Sequence, residues 1–159
     1  MIQPIYLYGS EVLRRKAAEA DLAKKDELNA LVQDLRDTLT RADGCGLAAP
    51  QIGVSLRVVI VDGDVVADTY EYLKGFKRVI INPEILEESD EKVTYSEGCL
   101  SIPNIYCDVL RPAKMTLRYY NENGASSVIH GEKQLDHWAN SMEWNIRGCE
   151  SQIIFKGIK

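Results

Sequence analysis

The feature that most constrains the fold is an amphipathic helix predicted from about Glu27 to Asp43. Its apolar residues recur at steps of three and four, which places them on one face of a helix. These residues are Leu28, Leu31, Val32, Leu35 and Leu39. Asp26 is a candidate N-cap, and Gly44 is expected to end the helix. The chain has 159 residues, enough to bury one real core beneath such a helix.

Short β-rich runs follow this helix. The runs LRVVIVD at 56–62 and RVIIN at 78–82 predict two strands, the second closed by Pro83. Residues 64–77 between them show no decisive period and predict a loop or an irregular hairpin. Further strands are predicted at 93–95, 107–110 and 115–120, with a turn at Asn123-Gly124. A short helix over 11–19, capped by Ser10, is predicted before the long one.

A second helical stripe lies near the carboxyl terminus. Its apolar residues also alternate between steps of three and four, and they are Leu135, Trp138, Ala139, Met142, Ile146 and Cys149. Strands between an early and a late helix indicate the α+β class, with mostly antiparallel sheets packed around the C-terminal helix. Because no repeat or linker interrupts the chain, residues 1–159 are predicted to form a single domain.

Composition and charge exclude several functional classes. The formal net charge is −5, so the chain lacks the cationic excess typical of a nucleic-acid-binding surface. It has no apolar run of bilayer length and no signal-peptide pattern at its start, which predicts a cytoplasmic protein without membrane contact. The four cysteines show no Cys-x-x-Cys spacing, so free, buried or metal-bound thiols are expected.

Two segments have the composition of a functional site. The first, GCGLAAPQ at 44–51, combines glycines and small residues, which permit close approach of the backbone, with the amide of Gln51. That amide can donate to a developing oxyanion. The second, EGCLS at 97–101, places Cys99 directly after a glycine at the end of a predicted strand. Such a thiol is a candidate metal ligand or nucleophile.

The two segments together resemble the first two signature motifs of the peptide deformylases, metal-dependent hydrolases that remove the formyl group from N-terminal methionine. The opening, Pro4 to Arg14, and the run INP at 81–83 also fit that family. The resemblance implies a deformylase-like fold and Fe²⁺ or Zn²⁺ as cofactor. It also implies that the partners are formyl-methionyl ends of nascent chains, which includes chains still on the ribosome.

The same resemblance assigns roles to individual residues. Cys99 would be a metal ligand, while Gln51 and the backbone N–H of Leu100 would polarise the formyl carbonyl. The residues implied to bind the substrate are Gly44, Gly46, Glu97 and Gly98. The family completes its site with a helical His-Glu-x-x-His motif, whose histidines bind the metal and whose glutamate handles protons.

That third motif is absent from this sequence. The only histidines, His130 and His137, are seven residues apart, about 10.5 Å along a helix axis, too far to share one ion. His130, in a polar stretch bounded by glycines, is predicted to lie in a solvated loop. One alignment retains His137 as a ligand and puts Lys133 and Gln134 where the first histidine and the glutamate belong.

A second alignment, which needs no deletion, is preferred. It places Asn145 and Cys149 on the two histidine positions and Ile146 on the glutamate position, with Cys149 as the alternative further ligand. Neither alignment retains the catalytic glutamate. A compensated frameshift or sequence error over 125–152 would explain the loss, and so would ordinary divergence.

Two functional hypotheses follow. In the first, the chain is a deformylase-like metallohydrolase with weak or no activity, since losing a general acid/base costs roughly 10²–10⁴ in rate. In the second, it is a noncatalytic protein of the same fold that binds peptide N-termini. A cysteine nucleophile at Cys99 acting without metal lacks a credible base.

Overall fold

A computed structural model describes residues 1–68, 71, 74–112 and 114–130. At positions 66, 93–99, 102–112 and 130 the description is of the backbone. The helix predicted over 135–149 lies outside the described residues, together with His137 and Cys149.

Two helices precede the strands. Helix α1 spans Glu11–Arg14, with Ser10 at the N-cap position as predicted. The prediction that it extends to residue 19 is wrong, because the chain turns to an extended conformation at Arg15 and then pairs elsewhere. The backbone N–H of Ala18 donates to the carbonyl of Ser55 at 3.0 Å, and the N–H of Arg57 donates to the carbonyl of Ala18 at 2.8 Å.

Helix α2 spans Lys25–Ala42 and buries the predicted apolar stripe, with Leu35 fully inaccessible to solvent. It begins earlier than predicted, because Lys24 rather than Asp26 occupies the N-cap. Asp26 instead lies in the first turn, where a carboxylate stabilises the helix by its interaction with the positive end of the helix dipole. The last helical residue is Ala42, and the C-cap is Asp43, which takes the left-handed conformation at φ 55°, one residue before Gly44.

Within the described residues, the strands form two antiparallel sheets. Five strands have the spatial order β1-β2-β3-β6-β7, and β4 and β5 pair with each other in a second sheet. Their bounds are β1 Gly46–Ala48, β2 Val58–Asp62, β3 Lys77–Glu88, β4 Lys92–Cys99, β5 Ile102–Pro112, β6 Met115–Tyr120 and β7 Ser126–His130. All five predicted strands are confirmed, and β6 has its predicted bounds. This arrangement confirms the α+β class.

Strand β3 differs most from its prediction, since it continues five residues beyond Pro83. Between the pairs Ile81–Tyr120 and Glu84–Arg118, two residues of β3 oppose one residue of β6, which defines a β-bulge. Proline has no N–H to give to a ladder, but a bulge tolerates that loss. Asn82 forms the other part of the bulge, at φ 51°.

Strand β7 was not predicted. Gly124 turns the chain at φ 80° after β6, as the Asn123-Gly124 signal indicated, and Ser126–His130 then returns along β6. His130 therefore lies at the end of a strand, opposite Thr116, and its assignment to a loop is wrong. The residues after Gly124 are mostly polar or small, so their sequence pattern does not predict a strand. This strand is specified by its pairing with β6.

The five-stranded sheet is buried on both faces of its centre. Helix α2 packs on the face carrying Val58, Ile60 and Val79. The alternate residues of the same strands, with Leu117 and Tyr119 of β6, form the other face. This explains the uninterrupted apolar run of β2, because a strand covered on both faces does not alternate. None of the helices in the described residues is long and apolar enough to cross a membrane.

Asn82 provides a test of the bulge. Its Oδ1 accepts from the backbone N–H of Ala20 at 2.7 Å, and its Nδ2 donates to the carbonyl of Ala20 at 2.9 Å. Asn82→Ala loses both hydrogen bonds and strains the left-handed backbone. We therefore expect the free energy of unfolding, measured with urea, to fall by about 3 kcal/mol. Asn82→Gly relieves the strain and should recover roughly 1 kcal/mol of that loss.

Asn29→Ala is the matched control, because Asn29 is exposed on α2 and alanine favours a helix. We expect it to be neutral or slightly stabilising. Equal stabilities for Asn82→Ala and Asn82→Gly would contradict the backbone assignment at this position.

Candidate functional site

The first candidate segment forms a tight reversal between α2 and β2. After Asp43 the chain enters β1, where Leu47 pairs with Ile60 of β2. A 3₁₀ turn over Ala49–Ile52 follows directly, with Pro50 at its start. Because this turn folds the chain back toward β1, the Gln51 side chain lies next to the backbone of Ala48 and is only 5% exposed.

The Gln51 carboxamide is held at both of its polar atoms. Its Oε1 accepts a hydrogen bond from the backbone N–H of Ala48 at 3.0 Å. Its Nε2 donates to Oγ of Ser101 at 3.2 Å, and Ser101 is only 2% exposed. Because the Ala48 N–H can only donate, the amide oxygen must face it, which fixes which end of the amide reaches Ser101.

Gly44 and Leu100 form a second contact between the two candidate segments. A Cβ atom on Gly44 would lie 2.8 Å from Cδ1 of Leu100 and 3.1 Å from Cδ1 of Leu39. Real Cβ atoms do not approach other atoms at the first of these distances. The glycine at position 44 is therefore explained by the space that the Leu100 side chain occupies. We call Gly44, Ala48, Gln51, Leu100 and Ser101 the Gln51 cradle.

Sequence reasoning assigned no role to Ser101 or to residues 6–8. The backbone N–H of Tyr6 donates to the carbonyl of Gln51 at 2.7 Å, and that of Tyr8 donates to the carbonyl of Ser101 at 2.8 Å. The position of Ser101 next to Leu100 in the motif was an available signal. Contacts made by backbone atoms leave no such signal in residue identity.

The other predicted residues of the two motifs lie on β1 and β4. Gly46 begins β1 opposite Val61. Glu97 and Gly98 pair with Cys107 and Tyr106 in β4–β5, and Cys99 ends β4, as predicted. Cys99 immediately precedes Leu100, so their Cα atoms are about 3.8 Å apart. The backbone at position 99 therefore borders the Gln51 cradle.

The two histidines of the chain, which are seven residues apart, do not have the His-Glu-x-x-His spacing that would place a pair of imidazoles on one ion. His130 ends β7, which is four strand spacings from β1, roughly 19 Å at about 4.8 Å each. His130 thus ends a strand at the edge of this sheet opposite β1, the strand that contributes Ala48 to the Gln51 cradle. His137, the other histidine of the sequence, lies outside the described residues.

The donor set therefore does not fit a metal centre with one cysteine and two histidines. In the part of the chain that the structure describes, no three side chains from His, Cys, Asp and Glu are grouped so as to hold a metal. A hydrolytic zinc or iron site needs three protein ligands and an open position. Cys99, with a single histidine or Cys149, does not supply the ligands that the deformylase resemblance implies.

One carboxyl group with a shifted pKa lies in the connection between β2 and β3, outside the cradle. The backbone N–H of Gly75 donates to Asp64 at 2.6 Å and, with a smaller effect from Lys77, lowers the pKa of this carboxyl. The same bond joins Asp64, which follows β2, to Gly75, which precedes β3. This shift reflects loop closure rather than a catalytic environment.

Comparison with known proteins agrees with this architecture. The sequence profile of the family described as polypeptide deformylase matches residues 2–138. A peptide deformylase of Pseudothermotoga lettingae is 43% identical over 124 residues, and one of Christiangramia forsetii is 42% identical over 132 residues. These alignments cover 78% and 77% of this chain, respectively, and 66% of each relative. The chain thus spans just under two thirds of those relatives' length.

Solved structures give the same result. The peptide deformylase of Thermotoga maritima matches with a TM-score of 0.85 at 27% identity, covering 100% of this chain and 99% of that one. The peptide deformylase of Legionella pneumophila matches with a TM-score of 0.85 at 33% identity, covering 100% of this chain and 87% of that one. The chain belongs to the polypeptide deformylase family, a family of hydrolases.

The family profile ends at residue 138, ahead of 144–149, where the preferred alignment puts the missing motif. The match thus includes both segments of the Gln51 cradle. Residues 139–159 lie beyond it.

The contact between Gly44 and Leu100 can be measured by a double-mutant cycle. Gly44→Ala places a methyl group against Cδ1 of Leu100. It should lower the free energy of unfolding, measured with urea, by about 1 kcal/mol. In a Leu100→Ala background the methyl group has room, so the same change should cost less. The coupling energy should fall within roughly 0.5–3 kcal/mol. Additive effects of the two substitutions would contradict direct contact.

Proposed function

We propose that this chain is a peptide deformylase-like protein that recognises N-formyl-methionyl peptide ends and hydrolyses them weakly or not at all. Family membership supports the substrate class. The observation that supports the reduced activity is the absence of His-Glu-x-x-His from the sequence, together with the position of His130 on β7, at the edge of the sheet opposite β1. The proposed setting is the cytoplasm, with formyl-methionyl nascent chains as partners.

Recognition is assigned to the Gln51 cradle. We propose that the Gln51 amide and the N–H of Leu100 bind the formyl oxygen, and that Gly44, Gly46, Glu97 and Gly98 form the groove around the methionine. The support is geometric: Gln51 is buried, and its amide is oriented by Ala48 and Ser101. A donor fixed before the substrate arrives needs no reorganisation when it binds.

Hydrolysis is the step that the sequence impairs. In this family Fe²⁺ or Zn²⁺ supplies an activated water, but the donor set around Cys99 does not fit such an ion. The position of the catalytic glutamate is Gln134 or Ile146, depending on the alignment. Neither side chain can accept and return a proton at neutral pH.

The noncatalytic alternative rests on the same cradle. Because the Ala48 N–H and the Ser101 hydroxyl orient the Gln51 amide, we propose that peptide recognition can persist without hydrolysis. We propose this as the second candidate function. The two candidates share a substrate and differ in the metal content and turnover of the purified protein.

The decisive experiment is metal analysis of the purified chain combined with hydrolysis of a formyl-methionyl peptide. We expect substoichiometric metal and a rate reduced by roughly 10²–10⁴ relative to an active deformylase. Cys99→Ser is the matched variant, and it should change the residual rate little. One ion per chain together with rapid hydrolysis that Cys99→Ser abolishes would refute the proposal.

Peptide binding then separates the two candidates. Binding of the formylated peptide without turnover supports the noncatalytic function, whereas slow turnover supports an impaired hydrolase. Resequencing the codons for 125–152 distinguishes divergence from a sequence error. Recovery of His-Glu-x-x-His there would overturn the proposed loss of activity for the natural protein.

A further inference from the structure

The amino-terminal residues 6–8 connect the two halves of the Gln51 cradle. Tyr6 is hydrogen-bonded to the backbone of Gln51, and Tyr8 is hydrogen-bonded to the backbone of Ser101. The Gln51 side chain reaches Oγ of Ser101 and so joins the same two segments directly. These three hydrogen bonds and the covalent chain through Leu7 form a closed ring.

One part of this ring, the covalent chain from Tyr6 to Tyr8, has a maximum length. Gln51 and Ser101 are fifty residues apart in the sequence and are joined by hydrogen bonds, which can lengthen or break. Tyr6 and Tyr8 are separated by two covalently linked residue steps, which cannot extend beyond about 3.6 Å each. Residues 6–8 therefore act as a spacer that limits how far the two segments of the cradle can separate.

Backbone atoms of residues 6–8 make the two hydrogen bonds that join this spacer to the cradle. The side chains of Tyr6, Leu7 and Tyr8 are 42%, 50% and 53% exposed. The aromatic ring of Tyr6 also packs closely on Gly53, where an added Cβ would lie 2.8 Å from Cε1. Gly53 has a φ of 89°, so both its backbone conformation and this contact favour glycine.

We infer that Tyr6, Leu7 and Tyr8 form a positioning segment that sets the separation between the Gln51 amide and the Leu100–Ser101 peptide. The inference deepens the proposed function, since it concerns the groups assigned to the formyl oxygen. These three residues are not catalytic, because they act through Gln51 and Ser101. The inference predicts that a break in any bond of the ring loosens the other bonds.

The first test removes one backbone donor. Tyr8→Pro deletes the N–H that binds the carbonyl of Ser101, whereas Tyr8→Ala removes the side chain and keeps the N–H. In amide NMR spectra of the whole chain we expect Tyr8→Pro to shift the side-chain NH₂ resonances of Gln51. It should also accelerate their hydrogen exchange roughly fivefold to tenfold, as expected for the loss of about one hydrogen bond.

Tyr8→Ala should leave those Gln51 resonances close to the wild-type positions, and amides of α2 should be unchanged in both variants. The inference is overturned if folded Tyr8→Pro leaves the Gln51 side-chain signals unchanged. It is also overturned if Tyr8→Ala perturbs them as much as Tyr8→Pro does, because the effect would then belong to the tyrosine side chain.

A second test breaks the ring at the opposite side and does not depend on folding of the proline variant. Ser101→Ala removes the acceptor of the Gln51 amide but retains the backbone carbonyl that Tyr8 binds. The inference predicts faster exchange of the Tyr8 backbone amide in Ser101→Ala and its return toward wild type in Ser101→Thr. An unchanged Tyr8 exchange rate would contradict the coupling.

Neither readout depends on a metal or on hydrolysis, so the result stands whether or not the proposed function is correct. Titration with a formyl-methionyl tripeptide then links the segment to recognition. We expect the peptide affinity of Tyr8→Pro to be about tenfold weaker than that of the wild type. If the wild type does not bind the peptide, the proposed recognition fails while the NMR result still decides the positioning role.

Discussion

The hydrogen bond between the Gln51 amide and the Ser101 hydroxyl connects the parts of this protein that the chain keeps far apart. Both side chains are almost completely buried, so an unpaired amide or hydroxyl at this place would lose its hydration without compensation. Three segments must therefore meet with their hydrogen-bond donors and acceptors paired. They are the reversal after α2, the end of the β4–β5 pair and residues 6–8. The Gln51 cradle depends on that match.

The elements predicted from the sequence are those whose own side chains carry the pattern. The stripe of α2 and the apolar run of β2 are specified by burial, and burial leaves a clear period in residue type. The ends of α1 and β3 could not be predicted in the same way, because Ala18 and Asn82 take their conformations from partners that are distant in the sequence. Pro83 predicts the end of a strand, since a proline removes a ladder donor, and only the pairing with β6 reveals the bulge that accommodates it.

The candidate site was predictable to a similar degree. Gln51, Leu100 and Gly44 belong to motifs that the sequence displays, and the structure brings them together. Residues 6–8 could not be found from the sequence because backbone atoms make their hydrogen bonds to the cradle, whereas the place of Ser101 in its motif was an available signal. The position of His130 depends on β7, a strand specified by its neighbour, so the sequence could not show that this histidine ends a strand at the edge of the sheet opposite β1.

Recognition and hydrolysis thus separate in physical terms. A buried amide oriented by protein groups can bind a carbonyl oxygen without an ion, whereas hydrolysis in this family needs three ligands and a proton-transfer group. The most direct measurement is diffraction from crystals grown with Zn²⁺ and a formyl-methionyl peptide, with anomalous data collected at the zinc edge. The account predicts peptide density beside Gln51 and no fully occupied zinc peak at Cys99. A fully occupied peak at Cys99 with two nitrogen ligands would contradict it.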